Sequence, residues 1–444
     1  MPFHARRFHC LPLLALPLLA LVVGCGDDSS GADGYTGATN VTASDPYESG
    51  GSSDGGVDSS DPGDPSGGVG GTDSGPESGG ADSGADSGAD SAGESDTGGE
   101  TPLDPGQLTA GEWRDLDHWD FWLGLLDDPN WSALQDLWQL YTSQRFAVVA
   151  LADQVPVADA DVVLLAGEQP IWSARTDVQG RAELFNGLLG APAQGPFSIQ
   201  VTSGTSTVTV ADAAPFVAAP LIAELDAATP PAKVLDLMFM IDTTGSMGDE
   251  LSYLQVELAD VIADIRDNIG QSFKIRLSVN FYRDAGDEYL VREFPFTEDI
   301  DTALADLAAQ WADGGGDFPE AVTEALDSVV HGHEWSESAV ARLAFVVLDA
   351  PPHETAQDKS WIQESITDAA AQGIRIIPVA SSGIDKSTEF FLRFADIATG
   401  GTYVFLTGHS GIGGEHIEPT IGDYQVELLN SLLVRLITAS LQGA

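Results

Sequence analysis

An apolar run, Leu235-Asp236-Leu237-Met238-Phe239-Met240-Ile241, ends abruptly in Asp242-Thr243-Thr244-Gly245-Ser246-Met247-Gly248. A buried strand that delivers an oxygen-rich loop is the direct reading. Asp242, Thr244 and Ser246 sit at alternate positions, which turns three hard oxygen donors towards one point where strand gives way to helix. Such donors suit Mg²⁺, Mn²⁺ or Ca²⁺ and not a soft metal.

The residues after Ala232 alternate strand and helix patterns, as in an open doubly wound α/β sheet. A helix over 249–267 carries Leu251, Leu254, Leu258, Val261, Ile262 and Ile265 on one face. Strands are expected over 275–282, 343–348, 374–379 and 403–406, an edge pair around 289–296, and helices near 299–311, 321–330 and 424–441. The parallel strands are apolar on both faces, which requires helices on both sides. Two further loops follow strands in this pattern: Asp313-Gly314-Gly315-Gly316-Asp317-Phe318-Pro319-Glu320, and Asp349-Ala350-Pro351-Pro352-His353. Ligands in such folds bind beyond the carboxyl ends of the strands, where these loops lie.

The three motifs, in this order over about 200 residues from Lys233, resemble the metal-ion-dependent adhesion site of von Willebrand factor A domains, in the D-T-T-G-S-M form. The resemblance implies that Thr244 and Ser246 are direct ligands of a divalent cation, that Asp242 acts directly or through water, and that Asp349 acts through water. Mg²⁺ is the first expectation, with Ca²⁺ and Mn²⁺ as alternatives. The family's second loop commonly carries a threonine where this chain has Asp317. Asp317 is therefore read as a ligand or as a cap for the helix that Pro319 and Glu320 begin. As a ligand it would add negative charge and weaken the pull of the ion on a partner's carboxylate.

The remainder of the chain sets the context. Of 444 residues, 18 are basic and 69 acidic, a net charge of −51, which makes nucleic acid and anionic membrane surfaces poor partners. Apolar residues make up 43%, enough for two or three domains with real cores. The two cysteines, Cys10 and Cys25, both lie in the first 25 residues, so the folded part has no disulfide framework. Residues 1–25 read as an export signal: Arg6 and Arg7, an apolar stretch from Leu11 to Val23, then Val22-Val23-Gly24-Cys25, which looks like a lipobox with Cys25 as the lipidated residue. Residues 26–104, poor in anything to bury and without Lys or Arg, read as a disordered acidic tether.

Residues 105–143 are a tryptophan-rich segment with two short amphipathic helices, Trp119, Trp122 and Leu126 keeping helical spacing in one and Leu134, Leu137, Trp138 and Tyr141 in the other. Helices this short require packing onto a neighbouring domain. Residues 144–226 change to short strands with turn punctuation, a β-sandwich pattern. Val155–Val162 followed by Thr176-Asp177-Val178-Gln179-Gly180-Arg181-Ala182 resembles carboxypeptidase regulatory-like (transthyretin-like) domains, in which the second motif is a hairpin turn and the module a spacer. Residues 232–444 form the α/β domain.

Rival chemistries find little support. His331 and His333 with Glu334 invite a zinc reading, but no H-E-x-x-H accompanies them, and surface histidines are the plainer reading. Gly314–Gly316 lacks the Lys and Ser/Thr of a phosphate loop. No nucleophile or general base accompanies the oxygen loops, so no enzyme is expected. The expectation is a lipid-anchored cell-envelope protein, at the outer membrane or cell surface because Gly26 provides no inner-membrane retention acid. The resemblance implies that it binds a protein ligand, through an acidic side chain completing the metal site. The alternative is a metal-independent scaffold for envelope assembly.

Overall fold

The computed structural model describes residues 103–142, 144–316 and 318–443. The export signal, Cys25, nearly all of the 26–104 tether and the candidate ligand Asp317 lie outside the described residues. In chain order the first elements are β1 (Thr109–Trp113), α1 (Trp119–Leu126) and α2 (Pro129–Trp138). Eight short strands follow: β2 (Arg145–Ala152), β3 (Val155–Pro156), β4 (Asp161–Ala166), β5 (Gln169–Arg175), β6 (Arg181–Phe185), β7 (Phe197–Ser203), β8 (Ser206–Val210) and β9 (Leu221–Leu225). The α/β part comprises β10 (Val234–Asp242), α3 (Leu251–Ile269), β11 (Lys274–Tyr282), β12 (Val291–Arg292), α4 (Ile300–Ala308), α5 (Val322–His331) and β13 (Ala341–Leu348). It continues through α6 (Ala356–Gln372), β14 (Ile374–Ala380), α7 (Lys386–Thr399), β15 (Tyr403–Leu406), β16 (Glu427–Leu428) and α8 (Leu429–Ala439).

The large sheet has the order β12-β11-β10-β13-β14-β15-β1-β16. Its centre, β11 to β15, is parallel, while β12 and β1 run antiparallel to their neighbours β11 and β15. The chain leaves β10 towards β11 on one side and returns to β13 on the other, so the direction of winding reverses at β10. The apolar run of β10 is continuous because alternate side chains enter two different cores. Leu235, Leu237, Phe239 and Ile241 pack with α3 and α8, whereas Met238 and Met240 pack with α5, α6 and α7. Burial of both faces is what removes the strand's polar alternation.

Residues 145–225 build two four-stranded sheets, one of order β3-β2-β6 with β9 added parallel to β2, the other β5-β4-β7-β8. The turn from Asp177 to Arg181, expected as a hairpin, instead carries the chain from β5 in one sheet to β6 in the other, and Asp177 Oδ1 accepts the N–H groups of Gln179 and Arg181, at 2.8 Å each. Gly180 there has φ +73°, and a Cβ would stand 2.3 Å from the Ala150 carbonyl oxygen, so only glycine fits.

The tryptophan-rich segment departs from the sequence expectation in one respect. Both helices form, but Thr109–Trp113 ahead of them is a strand of the large sheet, paired with β15. Its polar Thr109 and Glu112 conceal a strand that only its partner can reveal. Trp122 stacks on Phe390 of α7 at 5.7 Å between ring centroids, Trp138 lies 5.3 Å from Phe391, and the Arg145 guanidinium covers Trp119 at 4.9 Å. The helices are thus fixed chiefly to α7. Arg393 of α7 ties the same segment down, donating to both oxygens of buried Asp115 at 2.8 and 2.7 Å and to Glu389 at 3.2 Å. The closing helix begins at Leu429, later than expected, because Glu427–Leu428 is spent pairing with β1.

Candidate metal site at the switch point

β10 and β13 are adjacent and parallel, with Ile241 beside Val347, so the loops that follow them emerge side by side. Asp242 is fully buried. Its Oδ1 accepts the Thr244 N–H at 2.8 Å and the Thr244 hydroxyl at 2.7 Å, and its Oδ2 accepts the Tyr282 hydroxyl at 2.9 Å. Thr244 Oγ1 lies 3.1 Å from Ser246 Oγ. Thr244 is buried and Ser246 exposed, so the three oxygens form a short file from the sheet to solvent. The intervening Thr243 turns the other way and bonds the Tyr282 carbonyl at 2.9 Å.

The glycine-rich loop lies directly against this turn. Gly245 N–H donates to the Gly314 carbonyl at 3.2 Å, and Asp313 N–H to the Thr243 carbonyl at 3.1 Å. Gly314 has φ +81°, and a Cβ there would fall 2.4 Å from the Asp287 carboxylate. Gly315, with φ +73°, donates its N–H to Asp287 Oδ2 at 2.9 Å. Backbone has to come this close for the loop to reach the crest of the sheet, and a side chain would prevent it.

The same loop brings in a residue that sequence reading assigned only to a helix start. α5 begins at Val322, and Glu320 lies before it, its N–H donating to the Pro351 carbonyl at 3.0 Å. This pairing with the loop after β13 buries the Glu320 carboxyl beside Asp242 and Asp349. One ligand oxygen from each of Asp242, Glu320 and Asp349 lies within 4.8 Å of the others. Among the described residues, Glu320 Oε2 and Asp349 Oδ1 are buried without a hydrogen-bond partner. The only warning in the sequence is a carboxylate immediately after Pro319, which fits a first-turn acid equally well.

Three buried carboxyls this close repel one another. Burial, with the hydrogen bond and charge of Asp242 and the charge of Asp349, pushes Glu320 up to about 11. Burial and the Asp242 charge push Asp349 up to about 7. Tyr282 is raised well above the usual phenol value by burial and the Asp242 charge, so it remains a donor. The orphaned oxygens and the all-oxygen donor set fit a hard divalent cation, which would supply the missing positive charge. Asp242, Thr244, Ser246, Glu320 and Asp349 are the residues able to hold it.

The histidines do not join the site as a metal set. His331 is exposed and lies between Asp327 and Asp368, at 2.9 and 3.0 Å. His333 points away, its Nε2 3.1 Å from Asn280 Oδ1 and its Nδ1 2.9 Å from the Ser328 carbonyl. His353 pairs with Asp284 at 3.1 Å beside the glycine-rich loop.

A doubly wound parallel sheet with oxygen-rich loops at its switch point defines the class. The family model described as von Willebrand factor A domain matches residues 236–397, from β10 into α7, so the chain carries a domain of that kind. Domains of this family commonly mediate protein–protein interactions and often bind a divalent metal. Among curated proteins, the chain is 26% identical over 220 residues to an ariadne-like RING finger protein of Acanthamoeba polyphaga mimivirus. That match covers 45% of this chain and 20% of the viral protein, so the chain spans about a fifth of its relative's length.

Proposed function

We propose that this protein is an interaction module that holds a divalent cation at Asp242, Thr244, Ser246, Glu320 and Asp349 and binds a protein ligand through it. The carrying observation is the buried carboxyl trio, with oxygens within 4.8 Å of one another. Mg²⁺ suits the hydroxyl-rich turn, whereas a third carboxyl shifts preference towards Ca²⁺ by raising ligand charge. A bound ion with a coordination position left open on the solvent side would attract a partner's acidic side chain. The exposed Ser246 marks the side from which that side chain would arrive. Asp317, in the same glycine-rich loop, is a further candidate ligand; the helix it was expected to cap starts only at Val322, with Ala321 in the capping position.

The setting we propose is the cell envelope. Cys25 would carry the lipid, residues 26–104 would act as a tether, and residues 144–226 would be a spacer of the carboxypeptidase regulatory-like type. Binding rather than catalysis follows from a site that offers hard ligands with no separate nucleophile. Isothermal titration with Mg²⁺, Mn²⁺ and Ca²⁺ tests the ion, and absence of uptake by all three would refute it. Saturable uptake in the wild type, abolished in Asp242→Ala, is the expected result. Mass spectrometry of the envelope protein and its Cys25→Ser variant tests the anchor, and protease shaving of intact cells tests exposure.

A further inference from the structure

A cavity of about 960 Å³ lies at the opposite end of the sheet from the oxygen-rich loops. It opens between the Asp177–Arg181 turn, the Trp113–His118 segment and the starts of β14 and β15. A narrow neck of about 20 Å³ continues from it and adds Arg175 to the wall. Val178, Ile377 and Leu436 give the cleft an apolar side. Its other side carries Arg114, Arg181, Arg375 and Arg435 among five acids, a concentration of arginine in a protein whose described residues hold only 16 of the 18 basic side chains.

The state of those cations is informative. Arg435 is engaged by Glu112 and Glu427, and Arg114 by Asp117 at 2.7 Å. Arg175 is held by Asp159 and Asp161, each at 3.0 Å. Arg181 and Arg375 line both the cleft and its neck, yet among the described residues their guanidinium groups make no hydrogen bond and no ion pair. Arg375 is half-buried at the start of β14, close to the last turns of α6 and α7, but accepts no help from their carbonyls. Burial pulls its pKa below the ordinary arginine value, against the charge of Asp177 and with lesser repulsion from Arg114 and Arg342. Of the cleft's own acids, Asp117, Glu112 and Glu427 are already paired, Asp177 Oδ1 is occupied in its turn, and Asp423 is exposed. Half-buried Arg375 and exposed Arg181 are forked donors left unused, and beside an apolar wall they match an anionic headgroup on an apolar body.

We propose that this cleft is a second ligand site, in which Arg375 and Arg181 take the carboxylate or phosphate headgroup of a molecule whose apolar part lies against Val178, Ile377 and Leu436. The site is independent of the cation, because no residue is shared between the two ends of the sheet.

Titration calorimetry of the purified protein with octanoate, octyl phosphate and inorganic phosphate tests the proposal. Saturable binding of octanoate or octyl phosphate is expected, the stronger of the two naming the headgroup, with inorganic phosphate weaker than either. Arg375→Gln and Arg181→Gln should each weaken it about tenfold or more, the worth of a charge-assisted hydrogen bond. Asp242→Asn and EDTA should leave it unchanged. The ligand-free thermal midpoint of Arg375→Gln should be equal to or above that of the wild type, since no bond is lost. No saturable binding of any probe up to about 10 mM would overturn the proposal. So would unchanged affinity in Arg375→Gln, or a lowered midpoint, which would make Arg375 a structural residue. Equal affinity for inorganic phosphate and octyl phosphate would remove the apolar half of the assignment.

Discussion

Replacing Glu320 by Gln should stabilise the cation-free protein and weaken the cation-bound one. In the fold without cation the Glu320 carboxyl is raised from 4.5 to about 11. A raised acid contributes its full stability below the unfolded pKa of 4.5 and loses it as pH rises towards the folded value. At pH 7 the unfolded chain has released this proton while the fold retains it. The lag amounts to 7 − 4.5, or about 2.5 pH units, equivalent to about 3 kcal/mol against folding, as an upper bound for a group coupled to Asp242 and Asp349. Glutamine has the same shape, binds no proton and removes that penalty. In EDTA at pH 7, the urea midpoint of Glu320→Gln should therefore rise, and the gain should shrink as pH is lowered towards 4.5. With Mg²⁺ or Ca²⁺ the order should reverse, because the variant lacks a charged ligand and binds the ion about tenfold or more weakly. A variant less stable than wild type in EDTA at pH 7 would refute the reading of Glu320 as a strained ligand.

Other outcomes follow from the same structure. Cation binding must displace protons from Glu320 and Asp349, so the logarithm of affinity should rise with pH at a slope of about two below pH 7 and about one above it, measured by titration in buffers of different pH. Gly315→Ala, at φ +73° with its new Cβ 3.4 Å from Thr244 Cβ, should cost about 1–2 kcal/mol by urea unfolding and lower cation affinity. Arg393→Ala strands Asp115 and Glu389 in the interior and should cost about 3–5 kcal/mol, whereas Asp117→Ala, whose partner Arg114 is partly exposed, should be within about 1 kcal/mol of wild type. Trp122→Ala, which empties the contact with Phe390, should cost about 3–5 kcal/mol and raise protease sensitivity over 119–138.

The doubly wound class, the central strands and the position of the oxygen-rich loops were legible in the sequence because each depends on local pattern. An apolar run buried on both faces, broken by Asp242, Thr244 and Ser246, has few other physical meanings. Alternating periods of strand and helix then fix the order in which loops reach the crest. Tertiary structure decided the rest, for reasons of distance along the chain. Glu320 becomes a site residue only because its N–H pairs with the carbonyl of Pro351, 31 positions away, and no local signal distinguishes that from a helix-start acid. Thr109–Trp113 becomes a strand only because β15 offers an edge nearly 300 residues later. Arg375 and Arg181 meet in one cleft because they come from two different sheets that pack together there. Sequence period specifies what an element is, but the partners of a buried charge are chosen by packing between elements, and that information exists only in the folded chain.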